Sequence, residues 1–178
     1  KTYGVLNSLN IELKKQKSTA QQYNIMFLGE IILIVSLMTM LFLYLYLFRK
    51  VIYERKRDVV FLLLMILLMM LLSVLSLKVP GLNIYIVPFA MLPIIIRTFF
   101  DSRTALFIHI ITILLVSLIV PNPYEFVLLQ MAVGMTVISS LKDLTQRSQL
   151  LRSAILVCIT YVVVFTGNRL LVEGDVSN

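Results

Sequence analysis

The sequence has no tryptophan, one cysteine and one histidine, and its 9 acidic residues are outnumbered by 16 Lys and Arg. Each shortage removes a class of function. A lone cysteine, Cys158, leaves no disulfide framework within the chain; set in an apolar run, it reads as a small core residue. A lone histidine, His109, excludes a metal site built from several histidines. A glycine-rich phosphate loop and a nucleophile elbow are also missing. No catalysis and no cofactor is therefore expected of this chain. Without tryptophan, Tyr and Phe must supply any interfacial aromatic belt.

Charge is scarce as well. Charged residues make up 14% and hydrophobic ones 60%, with a mean hydropathy of +0.96. Soluble domains run nearer half apolar and a quarter charged. The apolar residues come in long blocks, which identifies an integral membrane protein. The formal net charge of +7 would suggest a nucleic-acid partner in a soluble protein. Here the cations fall between apolar blocks, where topology determinants belong, and no nucleic acid polymer is expected as a partner.

The expected architecture is all-α, a polytopic membrane helix bundle with six transmembrane helices. The spans are placed at about residues 25–48, 59–77, 84–100, 104–120, 124–141 and 153–172. Residues 1–24 are a polar, membrane-proximal segment in which Val5, Leu6, Leu9 and Leu13 recur at helical spacing. Residues 173–178 form a polar stub. The chain opens at Lys1 and stops at Asn178 without the marks of natural ends, so it is expected to be a piece of a larger protein with domains of its own on either side. Links between spans are short, which makes consecutive helices antiparallel neighbours, and Pro121-Asn122-Pro123 reads as a compact turn.

The positive-inside rule gives an orientation. Arg49, Lys50, Arg55, Lys56 and Arg57 follow span one; Arg97 and Arg103 follow span three; Lys142, Arg147 and Arg152 follow span five. The links after spans two and four hold only Lys78. The first group is thus expected in the cytoplasm, with residues 1–24 and 173–178 outside and the cytoplasmic membrane of a bacterium as the location. The five cations of Arg49–Arg57 are expected to lie on anionic inner-leaflet lipid.

The third span is the unusual one. Pro88 and Pro93 interrupt it, and an interior proline frees the carbonyl four residues back, here those of Ile84 and Phe89. The two prolines are a candidate hinge. Arg97, Asp101 and Arg103 close the span. Arg97 and Asp101 are four apart and are expected to share a face and pair, either as a coupling cluster for a cytoplasmic domain or as a plain anchor. Glu30, Gln130, Asn168 and Arg169 lie near the outer ends of spans one, five and six, either lining an outward pocket or sitting among headgroups. His109 is an intramembrane ionisable group; a neutral histidine bonded to a neighbouring helix is the alternative. Ala132, Thr136 and Ser140, with Gly134 nearby, form a small-residue ridge for close helix packing, within the bundle or between two copies of a homodimer.

Taken together, the basic link Arg49–Arg57, the span built on Val87-Pro88-Phe89-Ala90-Met91-Leu92-Pro93, the stretch Leu128-Leu129-Gln130-Met131-Ala132-Val133-Gly134 and the link from Arg147 into Leu151-Arg152-Ser153-Ala154 carry a resemblance. Over about residues 25–172 the chain resembles the membrane domain of bacterial seven-transmembrane HD-phosphohydrolases, the PgpH-type cyclic-di-AMP phosphodiesterases. The resemblance implies an outer domain before this segment, a seventh span after it, and a cytoplasmic HD domain that hydrolyses cyclic di-AMP with a metal pair. It implies a sensor or anchor that transmits a signal to that domain. None of the family's catalytic or metal residues falls on a position of this chain. A small six-helix substrate-capture subunit of a transporter and a structural membrane scaffold are the other readings that size and hydropathy allow.

Overall fold

A computed structural model describes residues 2–140 and 147–175, and the side chains of residues 22–140 and 153–171. Every element among the described residues is helical. The expected cations at Lys142, Arg147 and Arg152, the apolar side chains at Val5, Leu6, Leu9 and Leu13, and the end of the stub lie outside what is described.

Helix α1 (Thr2–Phe48) is 47 residues long. The chain divides into an N-terminal unit reaching Met40 and a second unit from Leu41 onward. In the first, the described side chains from Gln22 to Val35 are exposed, Glu30 among them, and Thr39 donates its hydroxyl to the Val35 carbonyl at 2.7 Å.

After Phe48 come a short helix α2 (Lys50–Glu54) and α3 (Lys56–Lys78). Asp58 in the first turn of α3 and Lys78 in its last complement the helix dipole. Pro80 cannot continue the helix, and Gly81 takes φ +86°, a left-handed turn that a side chain would strain. The Ser76 hydroxyl donates to the Asn83 carbonyl at 3.0 Å and closes the loop.

The third apolar stretch is not one kinked helix. It is a 3-10 turn (Ile84–Ile86), a non-helical step through Pro88, and a nine-residue helix α4 (Met91–Phe99). At about 1.5 Å per residue α4 covers about 14 Å, near half a hydrocarbon core. Neither proline is interior to a helix. Pro88 lies in the break, and Pro93 is the third residue of α4, where an N–H has no intrahelical partner to lose. The two carbonyls expected to be stranded are bonded: Ile84 O accepts from Val87 N at 3.2 Å, and Phe89 O from Leu92 N at 3.1 Å.

Helix α5 (Ser102–Ser117) follows, capped by Asp101, and then α6 (Pro123–Ser140) and α7 (Arg147–Asp175). Pro123 is the first residue of α6, a position that suits its fixed φ and missing donor; the Asn122 carbonyl accepts from Phe126 N at 3.2 Å. α5 is the central rod. Thr104, Ala105, Ile108, His109, Ile111, Thr112, Ile113, Leu115 and Val116 are all buried, under α3, α4 and α6. α7 packs on the far side of α6. Phe89, in the break, meets Phe126 of α6 edge to face with centroids 5.1 Å apart, both rings fully buried. By length and apolar character three helical stretches suffice to cross a membrane: Gln22–Phe48, Lys56–Lys78 and Ser153–Leu171.

Candidate functional site

Two polar junctions hold α5, and each involves residues that the sequence singles out. The first is at its N-terminus. Asp101 adopts an extended backbone, and its carboxylate accepts from Arg103 N at 3.1 Å and from the Thr104 hydroxyl at 2.6 Å. This is a side-chain N-cap, which satisfies donors that a helix start leaves open. The same carboxylate forms an ion pair with Arg49, at the end of α1. Asp101 lies two residues beyond the end of α4, past the extended Phe100, and the ion pair that it forms with Arg49 links it to α1. Burial pushes the Asp101 carboxyl up, but the Thr104 hydroxyl, the Arg49 charge and the Arg103 and Thr104 N–H groups outweigh it and hold the carboxyl below its ordinary value.

The second junction is two turns into α5. His109 is completely buried, and its Nε2 lies 3.1 Å from the carbonyl oxygen of Gln130 on α6. A carbonyl only accepts, so Nε2 carries the hydrogen and Nδ1 keeps the lone pair; Nδ1 is buried without a hydrogen-bond partner among the described residues. The Gln130 side chain is also fully buried, and its Oε1 accepts from Tyr161 Oη of α7 at 3.0 Å. Gly134 completes the junction. A Cβ built there would collide with the His109 ring, so only glycine lets the imidazole lie flat against α6.

The small-residue ridge divides between two faces. Gly134 faces α5. Thr136 and Ser140 face α7, where the Thr136 and Thr160 hydroxyls approach to 3.1 Å and the Ser140 and Ser153 hydroxyls to 2.8 Å. Ala132 contributes its carbonyl, which accepts from Thr136 at 2.9 Å.

The other expected pocket residues are dispersed. Gln130 is fully buried inside the bundle. Asn168 is buried on α7, and Arg169 is exposed with its guanidinium 5.2 Å from the Phe165 ring centroid. A cavity of about 330 Å³ does lie nearby, lined by Tyr85, Leu129, Tyr161, Val162 and Phe165, with Glu125 and Arg169 within electrostatic reach of Tyr85. Tyr161, Glu125 and the Arg49–Asp101 pair were not singled out from the sequence. Asp101 carried a signal: it is the only acid between Asp58 and Glu125, hence the only local anion for the arginines around it.

No group of three or more His, Cys, Asp or Glu stands ready for a metal among the described residues. Residues 24–178 match the model of one family, described as a 7TM receptor with intracellular HD hydrolase. No curated protein and no solved structure matches the chain.

Proposed function

This chain belongs to the family of seven-transmembrane receptors with an intracellular HD hydrolase, and on that premise we propose that it is the membrane module through which a signal reaches a cytoplasmic HD-type phosphodiesterase acting on cyclic di-AMP. The module crosses the cytoplasmic membrane of a bacterium six times, the third crossing being made by the 3-10 turn, the break at Pro88 and the short α4. Residues 1–24 and 173–178 lie outside. Catalysis resides in the domain to which it is joined.

The observation that carries this reading is a polar connection from the first helix to the last. Arg49 at the inner end of α1 holds Asp101; Asp101 starts α5; His109 of α5 donates to Gln130 of α6; and Gln130 accepts from Tyr161 of α7. α5 is short and held by α3, α4 and α6 over most of its surface, so a shift at either end moves it as a unit. Packed interiors pass such shifts on because they rearrange between discrete packings instead of deforming smoothly. The pairing of Arg49 with Asp101 also supports the orientation, since it joins two links assigned to the same side.

The test is a double-mutant cycle in the protein joined to its HD domain and reconstituted in liposomes, read as the rate of cyclic di-AMP hydrolysis. Arg49→Gln and Tyr161→Phe break the two ends of the connection. A relay makes their effects non-additive, so the double variant changes the rate no more than the stronger single one. Effects that add on the free-energy scale, within the about 0.3–0.5 kcal/mol typical of independent sites, or singles with unchanged rates, would sink the relay.

A further inference from the structure

The junction at Asp101 also shapes one wall of a groove on the bundle's exterior. The groove has a volume of about 390 Å³ and is lined by Tyr44, Phe48, Arg49, Arg103, Leu106, Phe107 and Ile110. From this we infer that the chain holds one phospholipid with a net negative charge, its phosphate between Arg49 and Arg103 and an acyl chain along Tyr44, Phe48, Leu106, Phe107 and Ile110.

Charge complementarity sets the head. Two arginines, Arg49 and Arg103, line the groove, and Arg49 is already paired with the Asp101 carboxylate. One positive charge is left over. The Arg103 side chain is exposed, and its guanidinium has no hydrogen-bond or ion-pair partner among the described residues; only its backbone N–H is used, on Asp101. A phosphodiester supplies the missing anion and accepts from a planar guanidinium in the geometry that arginine favours.

The tail follows from what lies beneath. Leu106, Phe107 and Ile110 are one turn and two turns along α5 from Arg103, so the groove descends from the charged edge toward the hydrocarbon. Its aromatic wall is fixed: the Tyr44 and Phe107 rings stack with centroids 3.9 Å apart, and Tyr44 stacks on Phe48 at 5.7 Å. A free phosphate would leave this wall unused. A peptide strand would bring backbone donors and acceptors into a place with nothing to satisfy them. A zwitterionic lipid brings its own cation, which competes with the arginines. Basic pockets between membrane helices at a cytoplasmic edge suit anionic headgroups for these reasons. A second aromatic groove, lined by Arg55, Arg57, Asp58, Phe61, Phe99 and Phe100, is a weaker match, because Asp58 stands in its lining 4.0 Å from Arg57. The inference requires only that this edge lies at headgroup depth; it stands whether or not the chain transmits a signal.

Native mass spectrometry of the full chain, released from detergent with phosphatidylglycerol or phosphatidylcholine of identical acyl chains, tests it. The expected result is one phosphatidylglycerol retained in preference to phosphatidylcholine. Arg103→Gln should lower that retention about fivefold, the effect of one cation at a membrane surface, to the phosphatidylcholine level. Arg103→Lys should keep most of it, which separates charge from misfolding, and Lys78→Gln, on the loop side away from the groove, should leave it unchanged. Phe107→Ala should weaken it through the tail. Equal retention of the two lipids, an Arg103→Gln variant indistinguishable from the parent, or displacement of the lipid by millimolar inorganic phosphate would overturn the assignment.

Discussion

Helices α5 and α7 are built from similar residues and live in opposite surroundings. In α5, nine of sixteen residues are buried, over more than half of its circumference, and the face of Arg103, Leu106, Phe107 and Ile110 opens on the groove. In α7, between Ser153 and Leu171, only Ser153 and Asn168 are buried, while Val162, Val163 and Leu170 are more than 60% exposed. Both are apolar around their whole circumference. What differs is the surroundings: α5 is mostly covered by α3, α4 and α6, while α7 meets α6 alone among the described helices. The polar residues follow the same division. His109 in α5 has to be matched atom by atom with α6, whereas α7 uses hydroxyl contacts with α6 and leaves most of its described surface exposed. Stability and coupling therefore concentrate on α5, and tolerance on α7.

The strongest test of this contrast is a pair of truncations. Ile108→Ala, at a fully buried position of α5, should cost about 2–5 kcal/mol because it opens a cavity. Val163→Ala, at 63% exposure on α7, should stay within about 0.5 kcal/mol. Thermal or denaturant unfolding in detergent measures both, and equal losses would break the comparison. Next in size is Gly134→Ala. Its added methyl meets the His109 ring, and overpacking of this kind costs about 1–3 kcal/mol. His109→Ala in the same background should recover part of the loss, because it removes the atoms that collide; if it recovers nothing, the close approach of α5 and α6 is not what requires glycine.

A smaller effect is expected at the edge of α5. The Asp101 carboxyl is held below its ordinary value, so the folded state binds this proton less readily than the unfolded one. Its contribution is present at neutral pH and fades as pH falls below about 3.8, through the folded value. Asp101→Asn keeps a capping oxygen but removes the charge. The parent should be slightly more stable than this variant at pH 7, with the gap closing below pH 4. Because the Asp101 side chain is 38% exposed, solvent screens the pair and the gap is small. A gap that widens in acid would show the sign to be wrong.

Much of the fold was legible in the sequence, and the reason is lipid. Long apolar blocks, short basic links and the Pro121–Pro123 stop follow from what a bilayer and a proline each forbid. His109 and Gln130 stood out because polar atoms are rare in such blocks. Their partnership did not, nor did Tyr161, Thr160 or the Arg49–Asp101 pair, which spans 52 residues. A helix that is apolar all round has no stripe to fix its rotation, so the sequence does not say which face meets which neighbour. Gly134 shows the same limit: counted on one ridge with Thr136 and Ser140, it faces α5 while they face α7.

The third stretch gave the largest departure, and its prolines can be tested directly. Two prolines in an apolar run suggest a bent helix with two carbonyls to satisfy. The chain instead stops being helical before Pro88 and restarts at Met91, so that each proline stands where its missing N–H is not needed. On that geometry Pro93→Ala should cost only the burial of the two methylenes that it removes beside Leu92 and Ile96, about 1–2 kcal/mol, since no hydrogen bond is gained within the first turn of α4. A proline that kinked a continuous helix would behave otherwise: its removal would let the run 84–99 straighten, and amide exchange across Val87–Ala90 would slow as new helical bonds formed. Unchanged fast exchange there in Pro93→Ala would place the pliable part of the molecule in the break at Pro88, beside α5 rather than within a bending helix.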